Sequence, residues 1–351
     1  MHRAGPRLAR RATIAGVVAL AAVLAAAAPA PAASVTLLDP AGGGVSAYGG
    51  WAAWTHEDAA ANDTLLDVRS PNGVVSAAPV APGTGPFEVE LGPRAGGGVS
   101  AVYERCSDPA RSLGCAIYEY PLGVAGASER ALAIPGGGSD THPAIWKDRV
   151  AFARANAGNA KRPDAIYTWT IGGGTPHAAL LQASRGGHEP QGGRWPKGLT
   201  GEITALTIGP SQIAYVTSVL NGSFGESTLW YEPIGGRPEL IDQETGGAGN
   251  VCPPAFLSPL VAGGWLYAYL HACDPTGNPR LDRLTRYRRG RAERARYTFV
   301  HHGDDGIGSV VIDGTGVDWD DEGVSRLAPV SWKRMALPVA QTFCSRADPF
   351  C

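Results

Sequence analysis

Two adjacent histidines are followed by two carboxylates in the last sixth of the chain. His301 and His302 precede Asp304 and Asp305 in a polar connection between two apolar segments. Imidazole nitrogens and carboxylate oxygens can bind a metal ion, and they can act as acid and base when they converge on one pocket. Polar residues are also ordinary in a connecting loop, so the pattern indicates a candidate ligand-binding site and no more.

A second candidate lies in the long segment 183–202, which contains His188, Glu189 and Trp195. Long loops on a rigid scaffold often carry binding residues. An exposed Trp195 could stack against a sugar ring or a peptide, and the alternative is that it packs over the edge of the fold. We therefore add these three residues to the candidate ligand-binding set.

An acidic run partly resembles a calcium loop. Asp318, Asp320 and Glu322 alternate along the chain and are followed by Gly323, and alternating oxygen ligands before a glycine are what Ca²⁺ requires. The twelfth position is Pro329 where such a loop has glutamate. A solvated acidic hairpin explains the run equally well, so structural calcium is the weaker expectation and no other cofactor is implied.

A basic run follows the fifth pair of apolar segments. Its members are Arg283, Arg286, Arg288, Arg289, Arg291, Arg294 and Arg296. Such a run could meet an anionic polymer or an acidic partner. It could also be a solvated strand edge whose charge discourages aggregation.

The elements that must position these residues recur along the chain. Six pairs of apolar segments are each joined by a polar or glycine turn, and the second segment of each pair carries an aromatic residue near its end. These aromatics are Trp54, Tyr103, Phe152, Tyr215, Tyr269 and Trp319. They lie 49 to 63 residues apart, a period typical of a propeller or solenoid. Their regularity predicts packing between repeats.

A third and a fourth strand follow each pair, so that one repeat is a four-stranded blade of about 50 residues. The third strands are predicted at 64–70, 115–122, 165–172, 228–235, 283–290 and 325–331, and the fourth at 74–80, 130–135, 176–182, 238–243, 295–301 and 335–339. The fold class is therefore all-β, a six-bladed β-propeller of four-stranded antiparallel blades, with seven blades less favoured. The first two strands belong near the centre. The ring of blades could be closed by the segment SVTLLD (34–39) pairing with the last blade, or by MALPV (335–339) alone, and the sequence leaves both alternatives open.

The third repeat carries a resemblance to a known family. Its pattern P-A-I-W-K-D-R-V-A-F-A, followed by A-I-Y-T-W, resembles the β-propeller repeat of TolB-like proteins. The wider chain, over roughly residues 45–340, is similar to secreted actinobacterial propellers with no assigned activity. The resemblance implies the propeller fold and leaves the ligand unassigned.

The cysteines test this layout. We call the face that holds the loops between second and third strands, together with the connections between blades, the upper face. Six cysteines in an exported chain are expected to form three disulfides. The layout places Cys106 beside Cys115, Cys252 beside Cys273, and Cys344 and Cys351 together in the tail 341–351. These short bridges would make the upper face rigid.

Residues 1–33 are typical of an export signal. Four arginines precede an apolar run from Thr13 to Ala28, and A-P-A at 30–32 offers a cleavage site near Ala32 or Ala33. General secretion is favoured over twin-arginine export, and no later segment has the length of a membrane span. Of the 30 basic residues four lie in this segment, which leaves 26 against 32 acidic ones. This acidic balance argues against nucleic acid as a partner.

These features predict a secreted, monomeric propeller, residues 34–340, that binds a protein, peptide or cell-envelope glycan on its upper face without catalysis. The alternative is a propeller-type glycosidase or polysaccharide lyase that uses His and carboxylates of that face. No G-x-S-x-G hydrolase motif or S-x-D-x-G-x-x-W sialidase box is present. The first strands are poor in catalytic side chains, with Glu88 and Glu90 as the main exceptions. A purely structural envelope protein is the third possibility.

Overall fold

The structure is a computed structural model, and the chain divides into two units, Met1–Ala33 and Ser34–Cys351. All residues whose placement is described lie in the second unit. They are residues 36–37, 42–58, 60–85, 87–155, 165–179, 202–221, 224–246, 255–262, 265–271, 283–288, 291–296, 310–313, 316–321, 331–336 and 344–345.

These residues form 25 strands in antiparallel sheets. The first sheet contains β2 (Gly42–Tyr48), β3 (Trp51–Asp58), β4 (Asp63–Arg69) and β5 (Val75–Ala77). The second contains β6 (Val89–Pro93), β7 (Val99–Arg105), β8 (Ala116–Leu122) and β9 (Arg130–Ala131), with a 3₁₀ turn at Pro109–Arg111. The third contains β10 (Ser139–Trp146), β11 (Arg149–Ala155), β12 (Ala165–Thr170) and β13 (His177–Ala178).

The later sheets repeat this order. The fourth contains β14 (Glu202–Ile208), β15 (Gln212–Asn221), β16 (Phe224–Pro233) and β17 (Glu239–Gly246). The fifth contains β18 (Ala255–Ala262), β19 (Trp265–His271), β20 (Arg283–Arg288), β21 (Arg291–Arg296) and β25 (Cys344–Ser345). The last contains β22 (Val310–Asp313), β23 (Gly316–Asp321), β24 (Ser331–Ala336) and β1 (Thr36–Leu37). The predicted all-β class and the four-stranded antiparallel unit are confirmed.

The sheets are arranged around a ring. The first strand of each sheet contacts the first strand of the next, from β2 through β6, β10, β14 and β18 to β22, and β22 contacts β2. The inner strand β7 is buried along almost its whole length, whereas every residue of the outer strands β5, β9 and β13 is exposed. This gradient follows because stacked sheets bury both faces of their inner strands and leave the outer edge in water. Among the described residues no helix is long and apolar enough to cross a membrane.

The repeated aromatics form the core between sheets, as predicted. Five of the six are fully buried, namely Trp54, Tyr103, Phe152, Tyr215 and Tyr269. Three of them stack on the aromatic residue opposite in the third strand of the same sheet, with ring centroids 5.8–6.3 Å apart. The Phe152 cluster combines residues of the second and third sheets, such as Val102 and Ile145. The side chain of Trp319 lies outside the described residues.

The ring closes through the N-terminal strand. Thr36 pairs with Arg334, and Leu37 pairs with Lys333, so β1 is the fourth strand of the last sheet. The segment SVTLLD therefore supplies the clasp, which decides between the two closures left open by the sequence. The predicted third strand at 325–331 and fourth strand at 335–339 were wrong, because the third strand is β24 (Ser331–Ala336) and the fourth is β1. Pro329 has no N–H to donate in a strand that is paired on both sides, which explains the shift.

The fifth sheet also differs from the prediction at its outer edge. Its fourth strand begins at Arg291, which pairs with Arg288, and not at residue 295. Six arginines of the basic run therefore lie in the third and fourth strands of this sheet, three in β20 and three in β21. Cys344 and Ser345 in the tail pair with β21 and add a fifth strand.

Candidate functional site

Most of the candidates chosen from the sequence lie outside the described residues. These are His188, Glu189, Trp195, His301, His302, Asp304, Asp305 and Glu322. Asp318 and Asp320 lie in the strand β23, where alternate positions share one face of the sheet. Within the described part of the chain, no group of three or more His, Cys, Asp or Glu residues could hold a metal ion.

The first of the three predicted disulfides is confirmed. Cys106 and Cys115 form a disulfide bond, and they lie at the two ends of the loop between the second and third strands of the second sheet. Cys252, Cys273 and Cys351 lie outside the described residues, and only the strand position of Cys344 is known. One loop of the upper face is therefore covalently closed.

A cavity of about 540 Å³ opens beside this disulfide. Its lining includes Thr55, Thr84, Glu88, Glu104, Arg105 and His142, which come from the first three sheets and their connections. These residues lie where first strands begin and second strands end, on the upper face. The volume is within the roughly 300–1,000 Å³ of small-ligand pockets. We call it the upper-face cavity.

The cavity contains a histidine paired with a carboxylate. The Nδ1 atom of His142 lies 2.5 Å from Oε2 of Glu88, and the two side chains are 20% and 55% exposed. Burial lowers the pKa of His142, but the negative charges of Glu88, Glu104 and Glu202 outweigh it and raise the pKa to about 9. The ring is therefore a cation at neutral pH, with its Nε2–H free of described hydrogen-bond partners.

Glu104 holds this pair in place. Its buried carboxylate accepts the backbone N–H of His142 at 3.0 Å through one oxygen and that of Glu88 at 3.3 Å through the other. Burial and the charge of Glu88 raise the pKa of Glu104 to about 7. His142 has a left-handed backbone (φ of 49°) within a bulge of β10. The bulge turns the chain so that both the N–H and the ring of His142 reach the second sheet.

A further carboxyl group lies one pleat deeper on the first strand of the second sheet. Glu90 accepts a hydrogen bond of 2.7 Å from the hydroxyl of Ser46 in the first sheet, and the same hydroxyl accepts the N–H of Leu91 at 2.8 Å. Burial, together with the charge of Glu88, raises the pKa of Glu90 to about 8 despite this hydrogen bond. Glu90 is therefore mainly a neutral carboxylic acid at pH 7.

Arg105 fixes the cavity wall and adds no free positive charge. Its guanidinium donates to the carbonyl of Pro82 and to Oε2 of Glu129, both at 3.0 Å, and it also contacts the carbonyl of Ala81. The group lies over the rings of Phe87, Tyr103 and Tyr118. Arg105 therefore shapes the cavity by holding the 81–82 connection. Its positive charge is paired with Glu129 and does not neutralise the negative charge of Glu88.

Sequence reasoning found part of this site. Glu88 and Glu90 stood out as charged residues in otherwise apolar first strands, but Glu104 and His142 were missed. Glu104 directly follows the repeated aromatic Tyr103, and His142 precedes the best-matching repeat unit. An alignment of the repeats places both residues at the upper ends of neighbouring inner strands. This alignment is the feature of the sequence that could have revealed them.

Comparison with known proteins assigns no family. No family model matches the chain, and no curated protein matches it. Among solved structures, the β-propeller domain of the Trilobed protease from Pyrococcus furiosus is 10% identical over 87% of this chain and 95% of that one, with a TM-score of 0.42.

Two peptidases are similar to the same degree. The Pyrococcus horikoshii acylaminoacyl peptidase is 9% identical over 85% of this chain, with a TM-score of 0.42, and prolyl oligopeptidase B from Galerina marginata is 12% identical over 89%, with a TM-score of 0.39. The chain spans 52% and 42% of their lengths. At these scores the likenesses carry no argument about function.

Proposed function

We propose that the chain is an exported β-propeller that binds a protein, peptide or cell-envelope glycan in the upper-face cavity. The leader-like residues 1–33 and the resemblance to TolB-like repeats support export and the scaffold. The observation that carries the proposal is the cavity itself, where Glu88, Glu104 and His142 converge beside a disulfide-closed loop. A rigid concave site with a few convergent polar groups is the usual form of a binding pocket.

An enzyme is the second candidate, and one observation favours it. Glu104 and His142 have strongly shifted pKa values in one cavity, a combination common at catalytic centres. Binding still explains the geometry better. Both oxygens of Glu104 accept backbone N–H groups, so the carboxyl group with a pKa near 7 serves to position other residues. His142 is protonated at neutral pH and cannot act as a general base there.

A glycan and peptide array probed with the purified protein tests the binding proposal. Thr84 is exposed at the cavity lining, so Thr84→Trp should fill the cavity without disturbing the core. We expect array signals from the unsubstituted protein and their loss in the variant. The absence of binding to every glycan and every peptide on the array would contradict the proposal. Release of reducing ends or unsaturated sugars from the glycan arm would favour the enzyme instead.

A further inference from the structure

The charges around the upper-face cavity do not balance. Glu88, Glu104 and Glu202 all act on His142, which is the cation that faces them. The charge of Glu88 also raises the pKa of both Glu104 and Glu90, and the three carboxyl groups near His142 outnumber this one cation. Arg105 on the cavity wall is already paired with Glu129 at 3.0 Å. The site therefore retains excess negative charge above pH 7.

One carboxylate oxygen of Glu88 has no partner among the described residues. The Glu88 side chain is 55% exposed, and among the described residues only its Oε2 atom is paired. Its Oε1 atom is available to a ligand. The adjacent Nε2–H of His142 is an available donor for a carbonyl oxygen. A cationic group next to a carbonyl or amide is the chemistry that satisfies both atoms.

The lining favours a peptide over a sugar. Phe87 is the only Phe, Tyr or Trp ring in the described lining, and it is 8% exposed. The cavity thus offers no open aromatic face on which a sugar ring could stack. Its other walls are small, from residues such as Pro82, Gly83 and Pro109, and they leave room for an extended backbone.

We propose that the upper-face cavity recognises a peptide segment through a basic side chain, whose ammonium or guanidinium group pairs with Glu88 while a neighbouring peptide carbonyl accepts from His142. This inference rests on the proposed binding function and narrows it to one ligand class. Glu104 is a positioning residue, because both of its carboxylate oxygens accept backbone N–H groups, one from Glu88 and one from His142.

The probe is an array of hexapeptides with neutral termini, each present with free lysine and with Nε-acetyl-lysine, together with chitosan oligomers as an amino-sugar arm. We expect the peptides with free lysine or arginine to bind. Acetylation of the lysine should lower the affinity about tenfold or more, because it removes a charge-assisted hydrogen bond. Glu88→Gln should produce the same loss. Glu239→Gln is the matched control, an exposed glutamate on the outer strand β17, and should bind as the unsubstituted protein does.

A pH series gives an independent readout. Binding of a cation should weaken as the pH falls from 8 to 6, because Glu104, whose pKa is about 7, and Glu90, whose pKa is about 8, take up protons and reduce the negative field. Equal binding of the free and acetylated members, or full binding by Glu88→Gln, would overturn the inference. If the peptides bound without regard to their charge and Thr84→Trp abolished that binding, the cavity would still be the binding site. The proposed function would then stand, and the preference for a basic side chain would be wrong. Preference for chitosan would overturn the choice of peptide, and no binding in any arm would remove both proposals.

Discussion

A hydrogen bond of 3.0 Å runs from the backbone N–H of His142 in the third sheet to Oε2 of Glu104 in the second sheet. The carboxylate lies at the end of β7, and the N–H lies in the bulge of β10. Because Glu104 binds the Glu88 N–H as well, one side chain sets the separation of the His142–Glu88 pair. The charge arrangement of the cavity is therefore part of the packing between sheets.

The first prediction concerns pH and stability. The folded-state pKa of His142 is raised to about 9, so its contribution to stability is complete below about 6.5 and is lost as the pH rises to 9. Glu90 has its pKa raised to about 8, so the folded state holds a proton that the unfolded state releases from about pH 4.5 upward, and this also lowers stability as the pH rises. Both groups act in the same direction, and so does Glu104, whose pKa is raised to about 7.

We therefore expect the free energy of unfolding to fall by several kcal/mol between pH 6 and pH 9, because each shifted pKa unit corresponds to about 1.4 kcal/mol. Glu90→Gln should flatten this decline, since its amide keeps a carbonyl acceptor for Ser46 and does not titrate. Urea unfolding at several pH values measures the slope, with Glu239→Gln as the reference. An unchanged slope in Glu90→Gln would show that Glu90 titrates normally.

The second prediction concerns the closest approach of two sheets. A Cβ atom added to Gly92 in β6 would lie 2.0 Å from the backbone oxygen of Ile145 in β10, so Gly92→Ala must push the second and third sheets apart. We expect a loss of roughly 3 kcal/mol in the free energy of unfolding. Gly174→Ala is the control, because nothing lies within 4 Å of the added atom and the change should be within about 0.5 kcal/mol. Similar losses in both variants would contradict the contact.

The blades could be predicted from the sequence because their signal repeats. Tyr103 and Phe152 occupy equivalent positions, and each stacks on the residue opposite in the next strand, so local strand patterning and global packing agree. The polar turn predicted within each pair is found in the third sheet at Lys147-Asp148, between β10 and β11.

The cavity could not be predicted in this way. Its decisive contact joins Glu104 to a residue 38 positions away in another sheet. That contact depends on a bulge of β10 between Thr141 and Ala144 that no strand pattern indicates. Ring closure was equally ambiguous, since a two-residue strand such as Thr36–Leu37 is too short for alternation to identify.

The third prediction concerns the disulfide. Replacing Cys106 and Cys115 together by serine opens a loop with a sequence separation of 9, which should cost about 2–3 kcal/mol by loop entropy. Cys106 lines the cavity, so ligand affinity should fall as well. Urea unfolding of the double variant measures the loss. Reductant should destabilise the unsubstituted protein, and any further effect of reductant on the variant would come from the other four cysteines.

Non-reducing peptide mapping checks the remaining pairs on the same samples. We expect Cys252 joined to Cys273, and Cys344 joined to Cys351, with the Cys106–Cys115 peptide seen only in the unsubstituted protein. A peptide that links Cys344 to Cys252 or Cys273 would contradict the predicted pairing at the tail.

The last prediction concerns the clasp. β1 pairs with β24 near the other end of the chain, so this two-residue strand ties the N-terminal segment to the last sheet and covers the edge of β24. Thr36→Pro combined with Leu37→Pro removes both backbone donors, and we expect a loss of about 3 kcal/mol with faster proteolysis. Val75→Pro combined with Ser76→Pro is the matched control, because β5 is also a fourth strand but pairs only with its own sequence neighbour β4. A loss of about 1 kcal/mol there would show local edge damage, whereas equal losses in the two variants would mean that β1 does not contribute to ring closure.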